Sequence, residues 1–338
     1  MRPRTLAVRL DNAGDVLLAG PALRALAAGS EHLTLLAGPN GRDAATLLPG
    51  VDEVLTWRSP WIDPHPEPVD ADEIAGLVKT LAALDVDRAV VFTSFHQSAL
   101  PTALVLRLAG VPWVGAISED YPGSLLDLRH HVEGDLPEAE RALSLARAAG
   151  FELPADDDGR LAVRRPLPDV TGFVPEEPYV VLHPGTSAAA RAWPERRWRE
   201  ACALLTESGH RVVVTGTEAE VGLTGTVAAQ QAVDLGGRTT MAELAAVLDR
   251  ADAVVVANTG PAHLAAAVGT PVVSLFAPTV PAARWAPYGV DTVLLGDQHA
   301  PCRDTRATVC PVPGHPCLSS VEAGEVLAAI EQLGGRRD

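Results

Sequence analysis

The feature that most constrains this chain is an alternation, present in both halves, between short aliphatic runs and longer Ala/Leu-rich amphipathic segments. Such alternation is typical of βαβ units and predicts parallel sheets covered by helices, an α/β fold. In the first half it predicts strands at 6–10, 33–37, 89–92 and 113–116, with helices at 15–28, 71–84 and 98–109. In the second half it predicts strands at 179–183, 212–215, 253–257 and 272–276, with helices at 195–208, 218–230, 241–248, 261–268 and 320–333.

The chain has 338 residues, too many for one ordinary hydrophobic core, so two domains are expected. Residues 153–178 combine an acidic run with five prolines, which disfavour helix and sheet, and we predict the linker there. The predicted domains are 1–165 and 166–338, and the C-terminal helix could pack back on the first domain.

Composition and charge restrict the function classes. A hydrophobic fraction of 47% with 21% charged residues is typical of a folded protein. The net charge of −16 argues against nucleic acids as partners and limits contact with an anionic membrane to a peripheral one, while a local pocket for one phosphate group stays open. The N-terminus does not resemble a signal peptide, and the most apolar stretch, 99–117, contains Arg107 and two prolines. We therefore expect a cytoplasmic protein.

The first candidate site is the segment from Asn12 to Asp15, directly after the first predicted strand. Ligands of open α/β folds bind at this edge of the sheet. Gly14 lets the backbone approach a ligand, and Asp15 could accept a proton from a hydroxyl group or could merely complement the helix dipole. The segment lacks the G-x-G-x-x-G pattern, so no dinucleotide cofactor is indicated.

The second candidate site follows the first strand of the second half. Thr186 and Ser187 lie in a small-residue loop with exposed backbone N–H groups, and Arg191 adds a fixed positive charge. This combination suits a phosphate or pyrophosphate, although a plain solvated loop is the alternative.

The third candidate site, residues 258–263, again joins a strand to a helix. Thr259 and Gly260 offer an anion-binding turn, and His263 lies in the first helical turn, where a buried structural histidine is the alternative. Between these two loops, Glu218 ends another strand, where a carboxylate can hold ribose hydroxyls; Glu220 is equally placed.

Together these loops resemble glycosyltransferase family 9, the heptosyltransferase-like enzymes. The resemblance spans nearly the whole chain and rests on Arg9-Leu10-Asp11-Asn12-Ala13-Gly14-Asp15, on His183 through Arg191 to Trp193-Pro194, on Leu235-Gly236-Gly237 with Met241, and on Asn258-Thr259-Gly260-Pro261-Ala262-His263-Leu264-Ala265-Ala266-Ala267 with Gly269-Thr270-Pro271.

The resemblance implies a GT-B fold, two Rossmann-like parallel-sheet domains facing across a cleft, with the acceptor side in the N-terminal domain and the donor side in the C-terminal one. It also implies inverting transfer of a sugar from a nucleotide diphosphate donor, and the preferred donor is ADP-heptose. The resemblance implies no required cofactor and no metal. The implied base is Asp15, on an acceptor-side loop with Asn12 and Gly14, and the implied donor-binding residues are Thr186, Ser187, Arg191, Glu218, Asn258, Thr259, Gly260 and His263.

Two positions depart from the family pattern. Several family members have Asp where Asn258 stands, so a carboxylate role is lost there. Others place Lys near the phosphates, and Arg191 is the nearest match in this chain. The implied acceptor is a glycan of lipopolysaccharide biosynthesis or of another glycan pathway. It is either lipid-linked or a natural-product intermediate.

Four residues near the C-terminus, Cys302, Cys310, His315 and Cys317, could form a structural Cys₃His zinc site. Their spacing lacks a Cys-x₂-Cys knuckle, so reduced thiols are favoured over a metal site.

Two other functions stay open at this point. One is a nucleotide-sugar epimerase or hydrolase on the same scaffold, which would consume the donor without an acceptor. The other is a non-catalytic nucleotide-sugar-binding subunit, against which Asp15 argues because a pure binder needs no base.

Overall fold

The chain is described by a computed structural model covering residues 1–334. It comprises two units, unit 1 from Met1 to Arg164 and unit 2 beginning at Arg165, and each is built on a six-stranded parallel sheet with helices packed against it. This confirms the predicted α/β class with two Rossmann-like units.

The strands of unit 1 are β1 (Arg4–Arg9), β2 (His32–Ala37), β3 (Glu53–Thr56), β4 (Arg88–Val91), β5 (Trp113–Ile117) and β6 (Leu128–His130). The strands of unit 2 are β7 (Tyr179–His183), β8 (Arg211–Gly216), β9 (Val233–Gly236), β10 (Ala253–Ala257), β11 (Val272–Leu275) and β12 (Thr292–Leu295).

The helices of unit 1 are α1 (Ala13–Leu18), α2 (Gly20–Gly29), α3 (Arg42–Thr46), α4 (Ala71–Ala82), α5 (Leu100–Leu108) and α6 (Glu138–Ala148). The helices of unit 2 are α7 (Glu195–Glu207), α8 (Val221–Ala228), α9 (Met241–Asp249), α10 (Gly260–Val268), α11 (Ala282–Trp285), α12 (Pro316–Ser319) and α13 (Ala323–Gly334). Short 3₁₀ turns lie at Pro39–Gly41, Gly123–Leu125, Ala189–Arg191 and Glu218–Glu220.

The two sheets have the same topology. Unit 1 has the order β3-β2-β1-β4-β5-β6, and unit 2 has the equivalent order when its strands are counted from β7, because β7 pairs with β8 on one side and β10 on the other. In each sheet the strand order reverses beside the first strand, at β1 and β4 or at β7 and β10. Ligands bind outside the carboxyl ends of the strands at this switch point.

The central strands are the ones that the sequence predicted. All five residues of β7 and of β10 are buried, and such strands read as continuous apolar runs because helices cover both faces. The strands that the sequence did not predict are β3, β6, β9 and β12, and each of them is a sheet edge. Edge strands are short and partly exposed here, so they carry little hydrophobic pattern.

One predicted helix is divided in the structure, and some helices were not predicted. The region 15–28 contains two helices rather than one, since α1 ends at Leu18 and α2 begins at Gly20 with Pro21 in its first turn. Proline lacks the N–H that a continuous helix would need there. Helix α6 was not predicted at all. The final helix, α13, packs on α7 and on the sheet of its own unit.

Neighbouring arginines belong to different units. Before the boundary, Arg24 holds Asp157 through two bonds of 2.6 and 2.8 Å, and Arg164 Nε donates to the Leu48 carbonyl of unit 1 at 3.0 Å. After it, Arg165 donates to both carboxylate oxygens of Asp249 in unit 2. Within residues 1–334, none of the helices has the length and apolar character to cross a membrane.

Candidate functional site

At the switch point of unit 1, a buried arginine holds two carboxylates. Arg9 is the last residue of β1 and only 3% exposed. Its Nε lies 3.1 Å from Oδ2 of Asp11, and its Nη2 donates to Oδ1 of Asp15 at 3.0 Å and to Oγ of Ser94 at 3.1 Å. Because the guanidinium is planar and rigid, this arrangement gives both carboxylates a defined place.

The loop after β4 completes the arrangement from the neighbouring strand. Gln97 Nε2 donates to Oδ1 of Asp11 at 2.6 Å, and Gln97 Oε1 accepts from the Ser94 backbone N–H at 2.9 Å. The Ser94 hydroxyl lies 3.4 Å from Oδ1 of Asp11 and 3.4 Å from Oδ1 of Asp15. One hydroxyl therefore lies between the two carboxylates.

A third carboxylate comes from the start of α6. Glu138 is 3% exposed, and its Oε2 lies 3.4 Å from Nη1 of Arg141, which also donates to the Thr93 carbonyl at 2.7 Å. Thr93 directly precedes Ser94, whose hydroxyl contacts Arg9 and Asp15, so Arg141 brings Glu138 to the same loop. The negative charge of Glu138 there raises the pKa of Arg9 and of Asp15. We call this group of charged side chains the acidic cluster; its members are Arg9, Asp11, Asp15, Glu138 and Arg141.

These surroundings make Asp15 an unusually strong base for an aspartate. Burial, followed by the negative charge of Asp11 and then of Glu138, raises its pKa to about 6, against the opposing effect of Arg9. The side chain is nevertheless 17% exposed, so a substrate can reach it. A carboxylate with a pKa near the working pH is suited to general base catalysis.

The remaining predicted residues of this loop are structural neighbours of Asp15. Asn12 precedes α1 and accepts a hydrogen bond of 3.2 Å from Asn40 Nδ2, and Gly14 is buried in the first turn. The next loop approaches closely because Gly38 has no side chain, since a Cβ there would collide with the Leu10 carbonyl.

At the switch point of unit 2, the first side chain is a buried imidazole. His183 ends β7, and its Nδ1 forms a hydrogen bond of 2.9 Å with the Thr215 hydroxyl on β8. Burial lowers the pKa of His183 to about 4, with a smaller opposing effect of Glu220. The imidazole is therefore neutral at neutral pH.

The loop after β7 packs against a carboxylate from the loop after β8. The Glu220 carboxylate occupies the space where a Cβ on Gly185 would lie, and its Oε2 also accepts from the Thr217 N–H at 2.8 Å. Glu218 instead is exposed and lies beside Gly237, whose Cβ would be 2.5 Å from Oε2 of Glu218. Of the two glutamates, Glu220 is therefore the one that packs against Gly185 in the loop after β7.

The predicted loops after β7 and β10 meet at Arg191. Its Nη1 donates to the Asn258 carbonyl at 3.3 Å, and its charge, after burial, contributes to lowering the pKa of His263 to about 4. His263 is 6% exposed and its Nδ1 has no hydrogen-bond partner in the described part of the chain. The cation at this switch point is thus Arg191, beside a neutral imidazole.

The other predicted residues of unit 2 have different environments. The Asn258 amide bonds the backbone of Ala277 through both its oxygen and its nitrogen, at 3.3 Å each, so it links two loops. Thr259 precedes α10 in extended conformation and Gly260 begins that helix, whose first N–H groups lack intrahelical partners. Thr186 is half-buried with its hydroxyl 3.4 Å from the Ala188 N–H, and Ser187 is exposed.

In the described residues, the side chains of the cysteine-rich segment are not grouped in a way that would hold a metal ion with three or more ligands. Cys302 and Cys317 are buried in the core of unit 2, and burial together with the neighbouring Cys302 thiol raises the pKa of Cys317 to about 12. His315 Nε2 lies 3.0 Å from the Ala190 carbonyl, and Cys310 Sγ contacts the Val312 carbonyl.

Sequence reasoning missed Ser94, Gln97, Glu138 and Arg141 as parts of the site. For Ser94 and Gln97 a signal existed, because both follow a predicted strand next to β1. For Glu138 and Arg141 the only local signal was an acidic residue after Pro137 at a helix start.

The chain is similar to known proteins in sequence and in fold. Lipopolysaccharide heptosyltransferase 1 of Pseudomonas aeruginosa is 34% identical over 226 residues, which are 64% of this chain and 62% of that protein. Among solved structures, a glycosyl transferase family 9 protein from Veillonella parvula has a TM-score of 0.78 at 16% identity, with 99% of each chain covered. E. coli heptosyltransferase WaaC with ADP has a TM-score of 0.71 at 20% identity, covering 98% of this chain and 99% of that one.

The family match covers most of the chain and the whole switch point of unit 2, and it begins after Arg9, Asp11 and Asp15 of unit 1. The sequence profile of glycosyltransferase family 9 (heptosyltransferase) matches residues 74–314. That range includes Ser94, Gln97 and Glu138 of unit 1 and every residue described above at the switch point of unit 2. The chain therefore belongs to glycosyltransferase family 9, a family of sugar-transferring enzymes.

Proposed function

We propose that this protein is an inverting glycosyltransferase that transfers a sugar, with heptose from ADP-heptose as the first choice, to an acceptor hydroxyl deprotonated by Asp15. The observation that carries this proposal is the position of Asp15, a partly exposed carboxylate held by Arg9 at the switch point of unit 1. Its pKa, raised to about 6 mainly by burial, supports the same role. Similarity to a lipopolysaccharide heptosyltransferase and to a heptosyltransferase solved with ADP supports the choice of donor. The acceptor is a glycan, lipid-linked or a natural-product intermediate.

The reaction is a direct displacement. The acceptor oxygen forms a bond to the anomeric carbon as its proton passes to Asp15, and the bond between that carbon and the phosphate oxygen breaks. The electron pair of the broken bond leaves with the nucleoside diphosphate. One displacement at the anomeric carbon inverts its configuration, and no covalent enzyme intermediate or metal is needed.

Unit 2 supplies groups suited to the departing diphosphate. Arg191 carries the positive charge, and the N-terminus of α10 at Gly260 adds backbone N–H donors with a favourable dipole. His183 and His263 are neutral, so they contribute hydrogen bonds rather than charge. The sequence of unit 2 contains no lysine, so in this unit an arginine has to supply the clamping charge.

The donor is identified first, by thermal unfolding in the presence of ADP, GDP, UDP and their sugar derivatives. A ligand that binds only the native state stabilises it by RT ln(1 + [L]/Kd), so no acceptor is needed. A shift with ADP and ADP-heptose is expected, and it should survive EDTA. The absence of a shift with every nucleotide would contradict a donor site in unit 2.

Transfer is then compared in the wild type, Asp15→Asn and the control Asp43→Asn, which changes an exposed aspartate in the first turn of α3. We expect Asp15→Asn to lower transfer by about 10²- to 10⁴-fold, as for loss of a general base, with donor binding retained. NMR of the product should give inverted anomeric configuration. Unchanged turnover in Asp15→Asn would reject the base, and donor consumption without acceptor would favour a hydrolase or epimerase.

A further inference from the structure

The acidic cluster contains more negative than positive charge. Asp11, Asp15 and Glu138 are three carboxylates, while Arg9 and Arg141 are two guanidiniums. Arg141 stands beside Glu138, so Arg9 is shared between the other two carboxylates. One carboxylate of the three is always in excess when all are ionised, and such a site readily takes up a proton.

Glu138 has an incomplete set of contacts for a buried carboxylate. Its Oε1 is buried and has no hydrogen-bond partner among residues 1–334, and the contact of Oε2 with Arg141 is long at 3.4 Å. A carboxylate with an orphaned buried oxygen is costly to keep, which points to a functional reason for its charge. A glutamine would fill the same volume without the charge.

We propose that Glu138 is a positioning residue for Asp15: its carboxylate, brought by α6 to the loop that touches Asp15, disfavours a further negative charge there and thereby keeps Asp15 able to accept the proton of the acceptor hydroxyl. This proposal rests on the proposed role of Asp15 as the base. Glu138 acts from α6, more than a hundred residues away in sequence, and needs no contact with substrate. Arg141 keeps Glu138 in place through the Thr93 carbonyl bond.

The charges that face Asp15 come from few elements. The end of β1 and the following loop contribute Arg9 and Asp11, and α6 contributes Glu138 and Arg141. Helix α3, which packs on α1, carries Arg42 and Asp43, but these are exposed and lie 3.8 Å from each other. On α2, Arg24 is bound to Asp157. The loop after β4, whose Ser94 touches Asp15, also carries the exposed His96. Among these groups, Glu138 is a distant charge acting on Asp15 that can be removed without touching the loop that holds Asp15.

The test uses Glu138→Gln with Glu140→Gln as the matched control, since Glu140 is an exposed glutamate on the same turn of α6. The titration of Asp15 is measured directly in protein labelled with ¹³C at aspartate carboxyl carbons, the resonance being assigned by its loss in Asp15→Asn. We expect Glu138→Gln to lower the titration midpoint of Asp15 by about 0.5 to 1 pH unit, and Glu140→Gln to leave it unchanged.

The acidic limb of the kcat/KM profile should move by the same amount and in the same direction, with the affinity for ADP unchanged. A merely structural role of Glu138 would lower activity at every pH without moving the limb. Superimposable titrations of wild type and Glu138→Gln would overturn the proposal.

A second measurement does not depend on the folding of Glu138→Gln. The Glu138 carboxyl carbon of the wild type, observed in protein labelled with ¹³C at glutamate carboxyl carbons, should sense the charge on Asp15 and show an inflection of its chemical shift at the Asp15 midpoint, absent in Asp15→Asn. A Glu138 resonance without that inflection also contradicts the proposal.

The failure of this proposal and that of the proposed function are distinguishable. If Asp15→Asn retains wild-type transfer while Glu138→Gln still moves the Asp15 midpoint, the base assignment is wrong and the electrostatic link stands. If Asp15→Asn abolishes transfer and Glu138→Gln moves neither the midpoint nor the pH profile, the base stands and the role of Glu138 is rejected.

Discussion

The two units share one sheet topology and have opposite electrostatics at the same place. At the switch point of unit 1, carboxylates predominate around Arg9, and Asp15 has a raised pKa. At the switch point of unit 2, His183 and His263 have lowered pKa values and are neutral beside the cation Arg191. The topology places the loops, and the side chains that follow the strands decide whether a site takes up a proton or accommodates an anion.

This difference assigns complementary roles to the two units. Burial acts in both places, but it raises the pKa of a carboxyl group and lowers that of an imidazole, because in each case it disfavours the charged form. Unit 1 thereby has a carboxyl group with a raised pKa, and unit 2 has imidazoles that are neutral at neutral pH.

The largest expected effect is on stability and comes from Arg9→Met. Removing this guanidinium leaves Asp11 and Asp15 without their shared countercharge, and breaking a buried ion pair in this way costs about 3 to 5 kcal/mol. Urea unfolding at pH 7.5 measures the loss, and it should shrink toward pH 5 as Asp15 becomes protonated. The control Arg42→Met changes an exposed arginine and should cost under about 0.5 kcal/mol. A loss as small as that of the control would contradict the shared role of Arg9.

A smaller effect is expected in unit 2 from Gly185→Ala. The new Cβ would occupy the position of the Glu220 carboxylate, so the loop or the glutamate must move. Overpacking of this kind costs about 1 to 3 kcal/mol, and we expect weaker ADP binding in thermal shift assays. Combining Gly185→Ala with Glu220→Ala should recover the thermal stability, whereas Gly172→Ala, where a Cβ meets nothing, is the neutral control. Independent, additive losses in the double variant would show that the two residues do not compete for space.

The smallest effects test the opposite signs of the two sites. The unfolded chain protonates His263 near its ordinary pKa of 6.5 and the folded chain only near 4, so this residue costs the protein stability as the pH falls from 6.5 toward 4. Asp15 has the reverse behaviour, because its folded pKa of about 6 lies above its ordinary value and protonation favours the native state below pH 6.

The measurement is thermal unfolding at pH 7 and pH 5. His263→Gln should lose about 2 kcal/mol less than the wild type on this change, and Asp15→Asn should lose more than the wild type because it lacks the gain from protonation. His210→Gln, a partly exposed histidine outside the switch points, is the control for the histidine variant. If both test variants changed the stability loss between pH 7 and pH 5 in the same direction relative to the wild type, the opposite electrostatics of the two units would be contradicted.

How far the fold could be predicted from the sequence depended on position in the sheet. The buried central strands were predicted because a short, continuous apolar run such as β10, bounded by polar residues, is typical of a buried parallel strand. The edge strands were not, since β6 has only three residues and β9 contains Asp234 and Gly236. Pairing with a neighbouring strand, rather than local composition, makes these segments strands.

The site followed the same rule. Asp15, Arg191 and His263 could be proposed because each lies in the connection or the first helical turn that follows a predicted strand. Glu138 could not be proposed, because it is distant in sequence and its effect on the pKa of Asp15 arises only after folding.

The sequence by itself determined the α/β class, the central strands and the loops that carry polar groups, because hydrophobic periodicity and strand-to-helix turns are local properties of the chain. Only the tertiary structure decided which charges share Arg9, which glutamate lies at Gly185 and which imidazoles are neutral. Those outcomes depend on distance and burial, and the energy of a charge in a poorly solvated place is set by neighbours that are remote in sequence.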